Sequence, residues 1–102
     1  MSTDLPRVQL KDGVLAVSGA IDAHTVLPLR AEGERLITTV NDSLVVDLAG
    51  LSATHSAALS MLLCWSRLAE KLGVSLSFTA APERLVSLAA LSNLEDWLQS
   101  RP

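Results

Sequence analysis

At 102 residues, with 49% hydrophobic and 19% charged side chains, the chain is expected to form one globular domain over residues 1–102, with a flexible start at 1–6. A formal net charge of −3 without a lysine and arginine cluster argues against binding to nucleic acids or to anionic membranes, which need concentrated positive charge. A single cysteine, a start without a signal-like segment and the lack of a run of about 20 apolar residues predict a cytoplasmic protein without a membrane span.

The chain is predicted to begin with a β-hairpin. Arg7–Leu10 and Val14–Val17 alternate in polarity on either side of Asp12-Gly13, and Asp-Gly between two such runs is a strong hairpin signal. Two antiparallel strands are therefore expected, the second of which ends at residues 18–20.

A first helix is predicted to begin between Asp22 and Thr25, with Pro28 in its first turn, where the missing N–H group costs little. Gly33 should weaken this helix by about 1 kcal/mol relative to alanine. Its apolar residues recur at helical spacing, as expected of a face that packs on a core: Val26, Leu29, Leu36, Ile37 and Val40.

The centre of the chain is predicted to be a strand, a short loop and a second helix. Leu44–Val46 is an apolar, β-branched run that leads into Asp47-Leu48, and we expect a central strand covered on both faces. From Ser56 the period changes to that of a helix, which should end at Leu72-Gly73. One broad face of this helix is predicted to be core: Ala58, Met61, Leu62, Trp65, Leu68, Ala69 and Leu72.

The opposite face of this second helix has two interpretations. It carries Leu63 among polar residues, with Ala57 and Cys64 along its edges, and the polar residues are Ser56, Ser60, Arg67, Glu70 and Lys71. One exposed leucine is ordinary, but a small and smooth patch is also what a partner surface needs. Ser56 could cap the helix, or a phosphate on it could be stabilised by the free N–H groups there.

The last part of the chain is predicted to be a half-buried strand over Val74–Phe78 and a helix opened by Pro82. This helix should end at Ser92-Asn93, before a short segment with Leu94, Trp97 and Leu98, and its predicted apolar stripe is Leu85, Val86, Leu88, Ala89 and Leu91. The order of elements indicates an α/β fold with a mixed four-stranded sheet and helices packed on it, in which helical crossovers make the last strands parallel.

Catalytic and cofactor-binding patterns are missing from the sequence. His24, His55 and Cys64 are not spaced as zinc ligands, and no Gly-rich nucleotide-binding motif occurs. His55 and Ser56 are adjacent on a helix start and project in different directions, which argues against a hydrolase built from them and Asp47. We expect no enzyme activity, no cofactor, no metal site and no small-molecule substrate.

Two segments resemble motifs of the STAS domain family (sulfate transporters and anti-sigma factor antagonists). Leu15–Asp22 resembles the L-x-x-x-G-x-[LI]-D segment, and Val45–Leu48 followed by His55–Leu59 resembles the [VI]-D-L … D-[ST]-[SG]-G-L segment. The resemblance covers nearly the whole chain and implies the fold of anti-sigma factor antagonists.

Within that family, Asp22–Leu29 and the helix at Leu85–Leu94 make the chain most similar to the small cytoplasmic subunit of the Mla phospholipid-transport ABC complex. This likeness implies a non-catalytic subunit that binds the ATPase and, through it, the membrane permease, and that supports assembly and activity in maintaining outer-membrane lipid asymmetry. It also implies a location at the inner face of the inner membrane. The residues implied to bind the partner are His55, Ser56, Ala57, Ser60, Leu63 and Arg67.

Two alternatives to this interpretation stay open. An anti-sigma factor antagonist would be phosphorylated at Ser56 by a partner kinase, but His55 stands where the family usually has Asp, and Ala57-Ala58 replace a glycine-containing pair. These departures weigh against phosphorylation and leave docking intact. A small-molecule or lipid-binding module rests only on the aliphatic composition, which an ordinary core also explains.

Overall fold

The structure is a computed structural model that describes residues 6–53 and 56–91. The elements follow in the order β1 (Arg7–Lys11), β2 (Val14–Ala20), α1 (Val26–Ile37), β3 (Ser43–Ala53), α2 (Ser56–Leu72), β4 (Ser75–Thr79) and α3 (Glu83–Leu91). The strands form one sheet in the order β1-β2-β3-β4, in which β1 is antiparallel to β2 and the other pairs are parallel. The predicted α/β fold with a mixed four-stranded sheet is confirmed. The predictions for residues 1–5 and 92–98 lie outside the described residues.

The hairpin of β1 and β2 turns at Asp12-Gly13, as predicted. Both residues have positive φ angles, 53° and 78°, which is the geometry of the two-residue turn that matches the twist of paired strands. Lys11 and Val14 face each other across the turn, so the local sequence fixes the register of this pair.

Among residues 6–53 and 56–91, the helices pack on one face of the sheet, so the prediction that β3 is covered on both faces is not supported within these ranges. In β3, Leu44, Val46 and Leu48 are buried, whereas the intervening Val45 and Asp47 are half-buried. Since side chains alternate between the faces of a strand, the buried set points to one side. The buried residues of β2 and of all three helices join the same cluster, so the helices cover that side.

Strand β3 is longer than predicted because it continues to pair with β2. Residues 49–53, which we expected in a loop, lie opposite the end of β2 through the pairs Ser18↔Gly50, Gly19↔Leu51 and Ala20↔Ala53, with register shifts before and within this stretch. A Cβ atom on Gly50 would lie 2.7 Å from the Cβ of Ser18. The absence of a side chain at Gly50 therefore lets the two strands stay together.

Helices α1 and α2 are joined by Trp65, which is fully buried. Its Nε1–H group donates a hydrogen bond of 3.1 Å to the carbonyl oxygen of Arg30. A Cβ atom on Gly33 would lie 2.1 Å from Cζ2 of the indole. The missing side chain of Gly33 therefore leaves the space in α1 that the indole ring occupies. Helix propensity does not reveal this role.

The end of α2 matches its prediction, because Gly73 has a φ angle of 76° and closes the helix. Its N–H group donates to the carbonyl of Glu70, and the N–H group of Val74 donates to the carbonyl of Ala69 over 2.8 Å. This bonding pattern terminates a helix and folds the next apolar residue back onto it. Val74 is buried in that way while Leu72 is 46% exposed, so the expected burial of Leu72 was wrong.

Helix α3 buries Leu85 and Ala89, but Leu91 is 83% exposed and its predicted place in the apolar stripe was wrong. At 100° per residue, Leu91 lies about 120° around the helix from Leu85. Within the two described ranges, no helix combines the length and the apolarity that crossing a bilayer requires.

Candidate partner-binding surface

Four of the predicted partner-binding residues lie along one line of α2. Ser56, Ser60, Leu63 and Arg67 are separated by four, three and four positions, which places them on the same side of a helix. We call these four residues the α2 strip. Ser56, Ser60 and Arg67 are exposed and Leu63 is half-buried.

Two further predicted partner-binding residues do not belong to the α2 strip. Ala57 is half-buried at its border, and His55 lies outside the described residues. Helix α2 begins at Ser56 directly after undescribed residues, so the interpretation of Ser56 as a cap stays a prediction.

The core holds the α2 strip in its outward orientation. The opposite side of α2 buries Ala58, Met61, Leu62, Trp65 and Ala69, each at most 1% exposed, as predicted. Leu59, which was not predicted to be core, is also buried at 6% exposure. A helix anchored through so many buried side chains cannot rotate about its axis without opening the core.

One of our interpretations treated Leu63 as an isolated surface leucine, but the structure places it beside other apolar residues. It lines an open hollow of about 370 Å³ between α2 and the start of β4, which we call the α2–β4 hollow. The lining residues are Leu63, Ser66, Arg67, Glu70, Val74 and Leu76. Val74 and Leu76 were missed as site residues, because a helical pattern cannot show which neighbouring strand completes a surface.

The charges beside the α2–β4 hollow differ from those on α1. On α1, Arg30 pairs with Glu34 over 2.9 Å and Arg35 pairs with Glu32 over 2.6 Å. Hydrogen bonding to Arg35 lowers the pKa of Glu32. Arg67 and Glu70 are exposed, and neither forms an ion pair with another residue of the described ranges.

The turn that leads into α1 is held by its own side chains. One carboxylate oxygen of Asp22 accepts hydrogen bonds from the N–H groups of His24, at 2.8 Å, and Thr25, at 3.1 Å. In return, the hydroxyl oxygen of Thr25 accepts from the N–H group of Asp22 at 3.0 Å. These bonds, with that of His24 foremost, lower the pKa of Asp22, and they satisfy donors that could otherwise bind an external anion.

The described residues offer little catalytic chemistry. Among them, no group of three or more His, Cys, Asp and Glu side chains could hold a metal ion. Asp47 projects from the face of the sheet that carries none of the described helices, and its carboxylate accepts a hydrogen bond from the N–H group of Ala49 at 3.0 Å. It therefore points away from the α2 strip.

Comparison with known proteins gives a family and a set of similar folds. The family profile described as "Mlab, STAS domain" matches residues 6–100. No curated protein sequence matches the chain.

Solved structures with the same fold include anti-sigma factor antagonists. SpoIIAA in its unphosphorylated form is 18% identical, with a TM-score of 0.71 over 90% of this chain and 84% of that one. An anti-sigma factor antagonist from Mycobacterium paratuberculosis is 24% identical, with a TM-score of 0.66 over 93% and 81%. A variant of RsbS from Moorella thermoacetica is 25% identical, with a TM-score of 0.60 over 87% and 76%.

Proposed function

Because the chain belongs to the STAS domain family in its MlaB form, we propose that it is the non-catalytic subunit of an ABC-type phospholipid transport system of the Mla kind. In this role it binds the ATPase subunit and, through it, reaches the membrane permease. It supports the assembly and activity of a complex that maintains lipid asymmetry in the outer membrane. STAS domains are binding and regulatory modules, and this proposal names the partner.

The observation that carries the proposal is the α2 strip. It presents two serines and the half-buried Leu63 beside an exposed arginine, on a helix whose other side is fixed in the core. A surface with small side chains on a rigid element suits docking, since little conformational entropy is lost on binding. Such a surface needs a complementary shape rather than a reactive group.

The proposal also concerns the location of the protein in the cell and the part of the chain that binds the partner. We place the protein in the cytoplasm, held at the inner face of the inner membrane through its partner and without insertion of its own. We assign the binding function to a single STAS domain spanning residues 1–102. The partner-binding residues of this proposal are His55, Ala57 and the α2 strip.

The proposal predicts that Leu63→Glu abolishes capture of the ATPase subunit. The tagged protein is purified from its native cell under conditions that preserve complexes, and the bound chains are identified by mass spectrometry. Wild type should recover the ATPase of an ABC transporter, whereas the buried charge of the variant should prevent close contact.

Circular dichroism and thermal melting of the isolated domain separate lost binding from lost folding. Leu63 is only half-buried, so the variant should keep the helical signal and unfold within a few degrees of wild type. Wild type that recovers no ABC ATPase, or a Leu63→Glu variant that recovers it normally, would contradict the proposal.

A second candidate function is that of an anti-sigma factor antagonist controlled by phosphorylation. It is supported by the exposure of Ser56 in the first turn of α2, where free N–H groups and the helix dipole stabilise a phosphate. Phosphopeptide mapping in several growth states tests it. A phosphate on Ser56 together with a recovered serine kinase would support this function, and an unmodified Ser56 in every state would exclude it.

A further inference from the structure

We propose that the α2–β4 hollow receives one bulky apolar side chain from an amphipathic segment of the ATPase subunit, which also places a carboxylate on Arg67 and a basic group on Glu70. This inference rests on the proposed function and extends it from the α2 strip to the neighbouring β4. It defines the partner segment by its chemistry: an apolar anchor between an acidic and a basic side chain.

Three of the six residues that line the hollow are apolar. Leu63 contributes from the helix, and Val74 and Leu76 contribute from the chain that enters β4. A volume of about 370 Å³ is near the lower end of ligand-binding cavities, and this hollow is open to solvent. An open hollow of this kind suits a side chain inserted from a larger partner, because the partner's own surface can exclude the remaining water.

Two residues of opposite charge, Arg67 and then Glu70, follow each other along this side of α2. They lie three positions apart, both beside the hollow, and so project from the same side of the helix. The α1 pairs Arg30–Glu34 and Glu32–Arg35 neutralise each other within their own helix. Arg67 and Glu70 have no such partner within residues 6–53 and 56–91, so their charges are available to a complementary partner.

Continuity with the α2 strip selects the occupant. Leu63 and Arg67 belong both to the strip and to the hollow. A partner that covers the strip therefore reaches the hollow without a second contact area. This continuity favours the ATPase subunit over a second copy of the chain or a free lipid, which become outcomes of the test.

The test is a charge exchange within the hollow. The full-length protein is titrated with the purified ATPase subunit of the same cell, as wild type, Arg67→Glu, Glu70→Arg and the double variant R67E/E70R. Each single variant should raise the dissociation constant about ten-fold. The double variant keeps the net charge of wild type but reverses the order of the charges, so it should bind at least as weakly as either single variant.

Controls separate charge order from net charge and from folding. Lys11→Glu makes the same change of charge as Arg67→Glu on the exposed end of β1 and should leave the dissociation constant within about two-fold. The variants should melt close to wild type, because all three sites are exposed. A charge-reversing substitution of one acidic residue of the ATPase should restore binding to Arg67→Glu.

Four results would overturn the inference. If the double variant binds as tightly as wild type, only net charge matters and the order of charges is irrelevant. If the free protein self-associates and the single variants abolish this association, a second copy occupies the hollow. If wild type binds the ATPase and all variants bind equally well, the inference fails while the proposed function stands. If wild type does not bind the ATPase, both fail.

Discussion

Trp65 and Gly33 form a contact in which a residue without a side chain is required. The indole is fully buried, and its Nε1–H group is held by the carbonyl oxygen of Arg30 at 3.1 Å. A methyl group at position 33 would lie 2.1 Å from one ring carbon and 2.3 Å from another. Because atoms cannot approach so closely, either the ring or the helix would have to move.

Gly33→Ala is therefore predicted to destabilise the protein by about 2 kcal/mol, because overpacking as severe as this should cost about 3 kcal/mol and the better helix propensity of alanine recovers about 1 kcal/mol. Urea denaturation followed by circular dichroism measures the loss. The same substitution should cost less than half as much in a Trp65→Phe background, where the smaller ring leaves room for the methyl group. Equal costs in both backgrounds would show that the contact is not responsible.

The role of Gly33 could not be predicted from local sequence. A glycine in the middle of a helix predicts a weaker helix, and nothing near it in the chain indicates a ring 32 positions later. The burial of Trp65 itself was predictable, since it lies on the apolar side of a helical pattern. What was missing was the pairing of two helices, which only the tertiary structure provides.

At the scale of elements, a carboxylate holds the turn that leads into α1. Asp22 accepts hydrogen bonds from the N–H groups of His24 and Thr25, and these bonds lower its pKa in the folded protein. The ionised form is therefore preferred in the folded state over the unfolded state. The stabilisation is present above the unfolded-state pKa of about 3.9 and is lost as the pH falls through the lower folded-state value.

We predict that Asp22→Asn removes part of the acid sensitivity of the fold. Thermal melting of both proteins between pH 7 and pH 2.5 measures the effect. The variant should melt below wild type at pH 7, and the difference should shrink as the pH falls from about 4 through the lower folded-state pKa, since the wild-type carboxylate becomes protonated over that range. Glu32 has a lowered pKa too, but it is common to both proteins. A difference that is constant with pH would contradict the assignment.

The ends of helices and strands could be predicted from the sequence where one or two neighbouring residues determine them. The turn at Asp12-Gly13 and the stop at Gly73 are determined by residues that tolerate positive φ angles. The extension of β3 to Ala53 was not predictable, because Ala49-Gly50 lacks strand propensity and pairs only because β2 lies beside it. The expectation that β3 is covered on both faces arose because apolar side chains such as Val45 also occur on its half-buried side.

At the scale of the whole molecule, the two sides of the sheet have different roles. The helices lie on one side and place the α2 strip outward on that side. The other side carries polar or small residues such as Gln9, Ala16 and Asp47, as the strand pairings show. A partner that recognises α2 therefore has no need to contact the open side of the sheet, and substitutions on that side provide matched controls for substitutions on the strip.

The candidate site was predicted in part for the same structural reason. The residues of the α2 strip follow from helical periodicity and stay where the pattern places them. The α2–β4 hollow could not be predicted, because Val74 and Leu76 come from a separate stretch of the chain. This stretch lies beside α2 only because β4 pairs with β3 at the edge of the sheet. Whether a surface residue such as Leu63 is isolated or lines a hollow depends on such neighbours.

The most direct test of the account is the affinity of the purified ATPase subunit for two matched variants, measured by isothermal titration calorimetry. Ser60→Arg adds a large cation in the middle of the α2 strip, and Gln9→Arg adds the same group to the open face of the sheet; both positions are exposed. The account predicts that Ser60→Arg weakens binding at least ten-fold, about 1.4 kcal/mol, while Gln9→Arg binds like wild type. Unchanged binding by Ser60→Arg, or an equal loss with Gln9→Arg, would contradict it.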